Sequence, residues 1–151
     1  MGRGAVTRLR VEAEGTTRAG PELVWPLVAD VTRYAEWGPW DESGYQRPGD
    51  GSEHGSGAVR RIRYRRTTSV EQVLDVEDGR RIAYTVLKGI PVRNYRGEVV
   101  LTPTGEGTRV NWSATWDGTL LGRIVHRRLR TFFPGVVADL VAASDREAAA
   151  R

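Results

Sequence analysis

The stretch TRVNWSATWD at residues 108–117, followed by a long segment at residues 119–150, decides the fold of this 151-residue chain. Apolar and polar residues alternate through the first stretch, as in a strand that buries one face. From Leu121 to Val141, apolar residues recur at steps of three and four, which predicts an amphipathic helix. Such a helix must bury its apolar side, so we expect it to pack across one face of a sheet that contains this strand.

Further strands precede this pair. Patterned segments between turn signals predict strands over residues 6–15, 58–66, 68–77, 80–87 and 93–103. The turn Asp78-Gly79 is a strong hairpin signal, and consecutive strands joined by short turns form an antiparallel meander. The glycine-rich segment 44–57 predicts a loop that carries a short strand near Tyr45.

Two short helices are expected after the first strand. Pro21 begins one of them, because proline suits the first helical position, and Asp30 caps the other, which ends at Gly38-Pro39. Pro134-Gly135 should kink the C-terminal helix or split it in two. The predicted fold is α+β, with a curved antiparallel sheet of six to seven strands around a long C-terminal helix, in one domain over residues 1–151.

Composition removes several kinds of chemistry. The chain has no cysteine and only two histidines, His54 and His126, which excludes disulfides, thiolate zinc sites, a cysteine nucleophile and a histidine-rich metal centre. We therefore expect no metal and no cofactor. No apolar run is long enough to span a membrane, and residues 1–10 lack the apolar region of a secretory signal, so a cytoplasmic location is the expectation.

Five short motifs, in this order, carry a resemblance to a known family. They are PELVW at residues 21–25, YAEW at 34–37, GAVR at 57–60, RRIAY at 80–84 and GTRVNW at 107–112. Together they resemble the polyketide cyclase/dehydrase family of the START-like, helix-grip superfamily. The resemblance implies an apolar cavity between the sheet and the last helix. It does not imply one activity, because the superfamily includes carriers, hormone receptors, cyclases and dehydratases.

Strand alternation, together with this resemblance, predicts which side chains line the cavity. In the strand 68–77 the alternation leaves two inner faces open, one with Val70 and one with Glu71, and a bulge would change the facing side midway. The predicted ligand-binding residues are Trp37, Trp40, Arg60, Ile62, Tyr64, Tyr84, Tyr95, Val99, Trp112, Trp116, Leu121, Val125 and Leu129. Trp37 and Trp40 either seal the end of the core or form a gate, with the glycine-rich loop 49–57 as a moving lid beside them.

Arg60 is the most informative single residue of this set. An inward guanidinium needs a carboxylate partner, for which Glu71 or Asp75 would serve, or else an anionic group of the ligand. In an enzyme, Arg60 would stabilise an enolate and Tyr64, Tyr84 or Tyr95 would transfer protons, because a tyrosine beside an arginine should have a lowered pKa. Arg60 and Tyr64 are therefore the candidate catalytic residues.

Three functions are consistent with the sequence. The first is binding of a small hydrophobic ligand of the lipid, polyketide or isoprenoid type. The second is an aromatase/cyclase or dehydratase that acts on a poly-β-keto chain in the same cavity. The third is nucleic-acid binding, suggested by 22 arginines against one lysine and a net charge of +4. We expect no nucleic-acid partner, because acids are interleaved along the chain, and the outward arginine row around Arg61 makes that face a poor dimer surface.

Overall fold

The computed structural model describes residues 7–151, which form an α+β fold with a curved, seven-stranded antiparallel sheet and a long C-terminal helix. The elements, in chain order, are β1 (Arg8–Thr17), α1 (Pro21–Ala29), α2 (Tyr34–Trp37), β2 (Glu42–Arg47), β3 (Val59–Tyr64), β4 (Thr67–Glu77), β5 (Arg81–Lys88), β6 (Arg96–Pro103), β7 (Thr108–Asp117) and α3 (Leu120–Ala149). The spatial order is β1-β7-β6-β5-β4-β3-β2, so the first strand pairs with the last. The predicted fold class is confirmed.

Strand boundaries differ from the prediction by up to three residues, most clearly in β1 and β6. Val6 lies outside the described residues, and β1 continues to Thr17, two residues past the predicted end. β6 begins at Arg96 rather than Arg93, because Asn94 has a φ of 54°, a left-handed conformation that a strand cannot contain. The short strand predicted near Tyr45 is confirmed as β2.

The helix ends follow the predicted signals. Pro21 is the first residue of α1, and the Asp30 side chain accepts a hydrogen bond from the Thr32 backbone N–H at 3.0 Å. Pro134 lies inside α3, which continues through it, so the alternative of two separate helices is wrong. Buried side chains on both sides of the proline, such as Phe133 and Val137, hold the helix against the sheet and outweigh the lost backbone hydrogen bond.

The inner face of the sheet is the one that the alternation predicts. Trp112, Ala114 and Trp116 of β7 are all buried, and so are Gly97, Val99 and Leu101 of β6. The open question in β4 is resolved by a register shift between Val73 and Asp75. Up to Val73, one set of alternating residues faces inward, and beyond the bulge the other set does.

The long helix does not lie centrally over the sheet. Its backbone runs closest to β1 and β7 and stays farther from β3, β4 and β5. Gly15 of β1 permits this approach, because an added Cβ would lie 3.0 Å from methyl groups of both Val137 and Val141. The inner face is therefore covered on the β1–β7 side and open on the β3–β4 side, which positions the cavity described next.

Candidate ligand-binding cavity

A cavity of about 900 Å³ opens between α3 and the inner face of β3 and β4. It is of the size that holds a small organic ligand. The residues on its walls are Pro39, Trp40, Ile62, Tyr64, Arg65, Arg66, Thr67, Ser69, Gly89, Ile90, Pro91, Val125, Arg128, Leu129, Thr131, Phe132, Gly135, Val136 and Asp139. Ten of these nineteen residues are apolar or aromatic, seven are polar or charged, and two are glycines.

Aromatic rings form one part of the cavity wall. The rings of Tyr64 and Phe132 meet edge to face, with centroids 4.9 Å apart, and Trp40 meets Phe132 in the same way at 6.1 Å. Trp40 also stacks on the buried ring of Tyr34, at 5.1 Å. These contacts connect the sheet, the helix and the segment after α2 across the cavity, so its shape is fixed by ring packing.

Five of the thirteen predicted ligand-binding residues lie on the cavity wall: Trp40, Ile62, Tyr64, Val125 and Leu129. Seven others are buried in the core outside the cavity: Trp37, Arg60, Tyr84, Tyr95, Val99, Trp112 and Trp116. Leu121 is 54% exposed on the first turn of α3. The inward direction of the sheet residues is as expected, but most of them meet protein on that side rather than an open space.

Mutual contacts fill the space in front of the buried aromatic residues. Trp112 donates its indole N–H to the Tyr84 hydroxyl at 2.9 Å, and Trp116 donates to the Gly122 carbonyl at 2.9 Å. Tyr95 stacks on Trp116 with ring centroids 5.6 Å apart. The polar side-chain atoms of Trp112, Tyr84 and Trp116 thus have partners inside the protein, and all four residues are buried, so they act as core.

The two tryptophans after α2 have different surroundings. Trp37 is 7% exposed and donates its indole N–H to the Leu27 carbonyl at 3.0 Å, so it seals the core. Trp40 is half-buried and lies on the cavity wall. The glycine-rich loop closes on itself through bonds such as Asp50 N–H to Ser56 O, and none of residues 49–57 is on the wall. The geometry does not place that loop as a lid over this cavity.

Arg60 has the carboxylate partner that its inward direction demands. It is 1% exposed, and its guanidinium donates to a Glu71 carboxylate oxygen at 2.7 Å across the β3–β4 ladder. Tyr34 and Tyr84 lie around it, with ring centroids 5.5 and 4.8 Å from the guanidinium carbon. Burial raises the pKa of the Glu71 carboxyl, and Arg60 opposes this effect. Arg60 is not on the cavity wall.

The expectation that a tyrosine beside the arginine has a lowered pKa is wrong for Tyr84. Burial raises the pKa of Tyr84 well above its usual range, and the nearby Glu71 carboxylate adds to this, although Arg60 acts in the opposite direction. Arg60 lies over the face of the ring, whereas the hydroxyl accepts a hydrogen bond from Trp112. Burial also raises the pKa of Tyr34 and of Tyr95. These buried phenols are poor bases.

Sequence reasoning missed several residues on the helical wall. Phe132 and Val136 follow Val125 and Leu129 at steps of three and four, so the apolar pattern of α3 already contained them. Arg128 also lies on the wall, although sequence reasoning assigned it no role. No pattern in the sequence indicated that Ile90, in the β5–β6 loop, lies on the wall, because the position of this loop depends on how the sheet curves.

The arginines on the outer face of the sheet form surface ion pairs. Arg61 and Arg63 approach the Glu42 carboxylate to 3.5 and 3.4 Å, so the basic row on the outer face is partly neutralised. His126 hydrogen-bonds the Arg10 carbonyl at 3.0 Å.

Within residues 7–151, no cluster of three or more histidine, aspartate or glutamate side chains could hold a metal ion. In the same range, no helix is both long and apolar enough to cross a membrane.

Comparisons with solved structures support the fold. A protein from Thermobifida fusca is 25% identical, with a TM-score of 0.70 over 94% of this chain and 93% of its own. A protein from Nitrosospira multiformis is 21% identical, with a TM-score of 0.75 over 93% and 99%. Norcoclaurine synthase from Thalictrum flavum, solved with dopamine and hydroxybenzaldehyde, is 14% identical, with a TM-score of 0.73 over 100% and 95%.

The family assignment comes from sequence. Proteins of curated function give no match. The family model described as polyketide cyclase / dehydrase and lipid transport matches residues 8–148, which covers every strand and nearly all of α3. The resemblance carried by the five short motifs is thereby confirmed. The chain belongs to the polyketide cyclase/dehydrase and lipid transport family.

Proposed function

We propose that the protein binds a small hydrophobic ligand, of the lipid, polyketide or isoprenoid type, in the cavity between α3 and the β3–β4 side of the sheet. The observation that carries this proposal is the 900 Å³ cavity itself, whose walls are mostly apolar and aromatic. An open apolar cavity of this size is costly in water unless a ligand fills it. The family description, which includes lipid transport, agrees with this role.

The residues that would hold the ligand come from both walls. Val125, Leu129 and Phe132 form the helical side, and Ile62 and Tyr64 form the sheet side. Successive members of each set are four or fewer residues apart along their own element, so each side of the cavity has a short, continuous wall. Ser69 and the Tyr64 hydroxyl offer hydrogen bonds that would orient a polar group of the ligand.

Binding, rather than catalysis, is the role that the geometry supports best. The enzymatic alternative assigned Arg60 to enolate stabilisation, but Glu71 occupies its guanidinium and the wall does not include it. Tyr64 is the one tyrosine on the described wall, which has no histidine. The one carboxylate there, Asp139, lies seven residues along α3 from Phe132, whose ring contacts Tyr64. A cavity that holds and releases a molecule needs none of these groups.

The test is binding of a neutral apolar fluorophore, N-phenyl-1-naphthylamine, to the purified protein. We expect saturable fluorescence enhancement for the natural sequence and weaker binding in Leu129→Trp, because the larger indole would project into the cavity and take up part of its space. Leu121→Trp is the matched control: it places the same ring on the same helix, at an exposed position outside the wall. Equal binding by both variants would contradict the proposal, as would no binding by the natural sequence.

A further inference from the structure

We infer that the ligand is an amphiphile with an anionic head group, a carboxylate or a phosphate, held by Arg65, Arg66 and Arg128 at one part of the cavity wall. The inference rests on the proposed function and adds the chemistry of the ligand to it. It starts from an uneven distribution of charge on the wall, which has three arginines and one aspartate, Asp139.

The three arginines come from both sides of the cavity. Arg65 and Arg66 form the turn between β3 and β4, and Arg65 has a φ of 56°. Arg128 lies on α3, one turn before Phe132, whose ring contacts Tyr64 at 4.9 Å. Because Tyr64 directly precedes Arg65, that ring contact brings the arginine turn and the Arg128 segment of the helix together.

The turn is also fixed in position. The Arg65 backbone N–H donates to the Asp41 carboxylate at 2.7 Å, and its guanidinium carbon lies 5.2 Å from the centroid of the Tyr64 ring. The Arg63 guanidinium donates to the Arg65 carbonyl at 2.9 Å. These contacts hold the backbone of the turn while leaving the guanidinium donors of Arg65 for another group.

Several arginines in the sheet are ion-paired, whereas the three on the cavity wall are not, within the part of the chain that the structure describes. Arg60, Arg63 and Arg81 each have a carboxylate within ion-pair distance. Over residues 7–151, no carboxylate lies within that distance of the guanidinium groups of Arg65, Arg66 and Arg128. Guanidinium groups suit carboxylates and phosphates, because their donors match two oxygen atoms at once.

The rest of the wall fits the tail of such a molecule. Leu129, Phe132 and Val136 continue along the helix away from Arg128 and offer apolar surface. Asp139 lies eleven residues beyond Arg128, about 16 Å along the helix axis, so its charge is far from the arginines. A chain with one anionic end would therefore be oriented in the cavity, with its head at the β3–β4 turn.

The experiment compares three twelve-carbon probes, dodecanoate, dodecyl phosphate and dodecan-1-ol, in displacing N-phenyl-1-naphthylamine at pH 8. We expect at least one anion to bind about tenfold more tightly than the alcohol at low salt. That advantage should shrink as ionic strength rises, because all three arginines are exposed to solvent. The ratio between dodecanoate and dodecyl phosphate then tells which head group the site prefers.

The variant Arg65→Gln/Arg66→Gln/Arg128→Gln should lose the preference for the anion and keep the affinity for the alcohol. Arg127→Gln is the matched control, since Arg127 is exposed on the same helix but is not on the wall. Equal binding of the anions and the alcohol by the natural sequence would overturn the inference and leave the proposed function standing. An absence of fluorophore binding would instead remove the proposed function and the inference with it.

Discussion

The inner face of the sheet has two regions that follow one alternation pattern but have different surroundings. In the closed core, β1 and β5–β7 point Tyr84, Trp112 and Trp116 at protein that packs on them. In the cavity region, the ends of β3 and β4 point Ile62 and Tyr64 at open space. The ladder between β3 and β4 crosses the border, because Arg60–Glu71 is buried while the next inward pair, Ile62–Ser69, lies on the cavity wall.

The position of α3 causes this difference. Its apolar side contains two adjacent stripes with the same spacing. One stripe, Phe133, Val137 and Leu140, is buried, and the other, Val125, Leu129, Phe132 and Val136, lies on the cavity wall. Since α3 runs closest to β1 and β7, the first stripe meets the sheet and the second extends beyond its support. A cavity in this fold therefore follows from an off-centre helix rather than from missing side chains.

The largest effect is expected at the border between the two regions. Glu71→Ala would leave the buried Arg60 guanidinium without its carboxylate and should lower the free energy of unfolding by about 3–5 kcal/mol. Urea denaturation monitored by tryptophan fluorescence measures this change. Asp75→Ala is the control, because it removes the carboxylate of the exposed Arg81 pair and should change stability far less.

A double variant separates an unpaired charge from simple loss of packing. Arg60→Met/Glu71→Leu replaces both charges by apolar groups of similar size, and it should recover most of the stability that Glu71→Ala loses. If the double variant were as unstable as the single one, the cost would lie in the shape of the site and not in the unpaired charge.

The next effect contrasts the two stripes of α3 directly. Leu140→Ala should lower the free energy of unfolding by about 2–5 kcal/mol, because Leu140 is fully buried. Leu129→Ala should cost less than about 1 kcal/mol, since its side chain already borders open space. Chemical denaturation of both variants without ligand measures the contrast, and similar losses would show that the cavity is filled by protein in solution.

These contrasts show how far the sequence predicts the site. The alternation of inward and outward residues along a strand predicted which way Trp112 and Tyr84 point. The cost of burying an unpaired charge predicted a carboxylate partner for Arg60. Neither argument includes the lateral position of α3, because the spacing of its apolar residues is the same for both stripes. Ile62 and Tyr64, the cavity residues of β3, were therefore predicted together with core residues such as Val99. Sequence reasoning had no means of separating the two groups.

A smaller effect is expected from a glycine in the closed core. A Cβ at Gly97 would clash with the Tyr84 ring, so Gly97→Ala should displace that ring and weaken its hydrogen bond from Trp112. We expect a loss of about 1–3 kcal/mol in the free energy of unfolding. Gly44→Ala in β2 is the matched control, since no atom lies within 4 Å of its added Cβ. Equal stability of the two variants in urea denaturation would contradict this view of the packing.

The smallest effect concerns a contact that holds α3 over β1. Asp145 accepts hydrogen bonds from the Thr17 hydroxyl at 2.6 Å and from the Arg18 backbone N–H at 3.0 Å. These bonds lower the pKa of Asp145 below its ordinary value of 3.8, so the folded state favours the ionised carboxylate. At neutral pH we expect Asp145→Ala to lower the free energy of unfolding by about 1 kcal/mol.

The dependence on pH gives this last prediction its sign. Above pH 3.8 the carboxylate is ionised in both the folded and the unfolded state, and its full contribution is present. As the pH falls through the lower pKa of the folded state, Asp145 takes up a proton and the contribution disappears. The difference in stability between the natural sequence and Asp145→Ala should therefore be constant near neutrality and shrink below pH 3.8. A difference that grew on acidification would mean that the contact favours the protonated carboxyl, which would contradict the lowered pKa of Asp145.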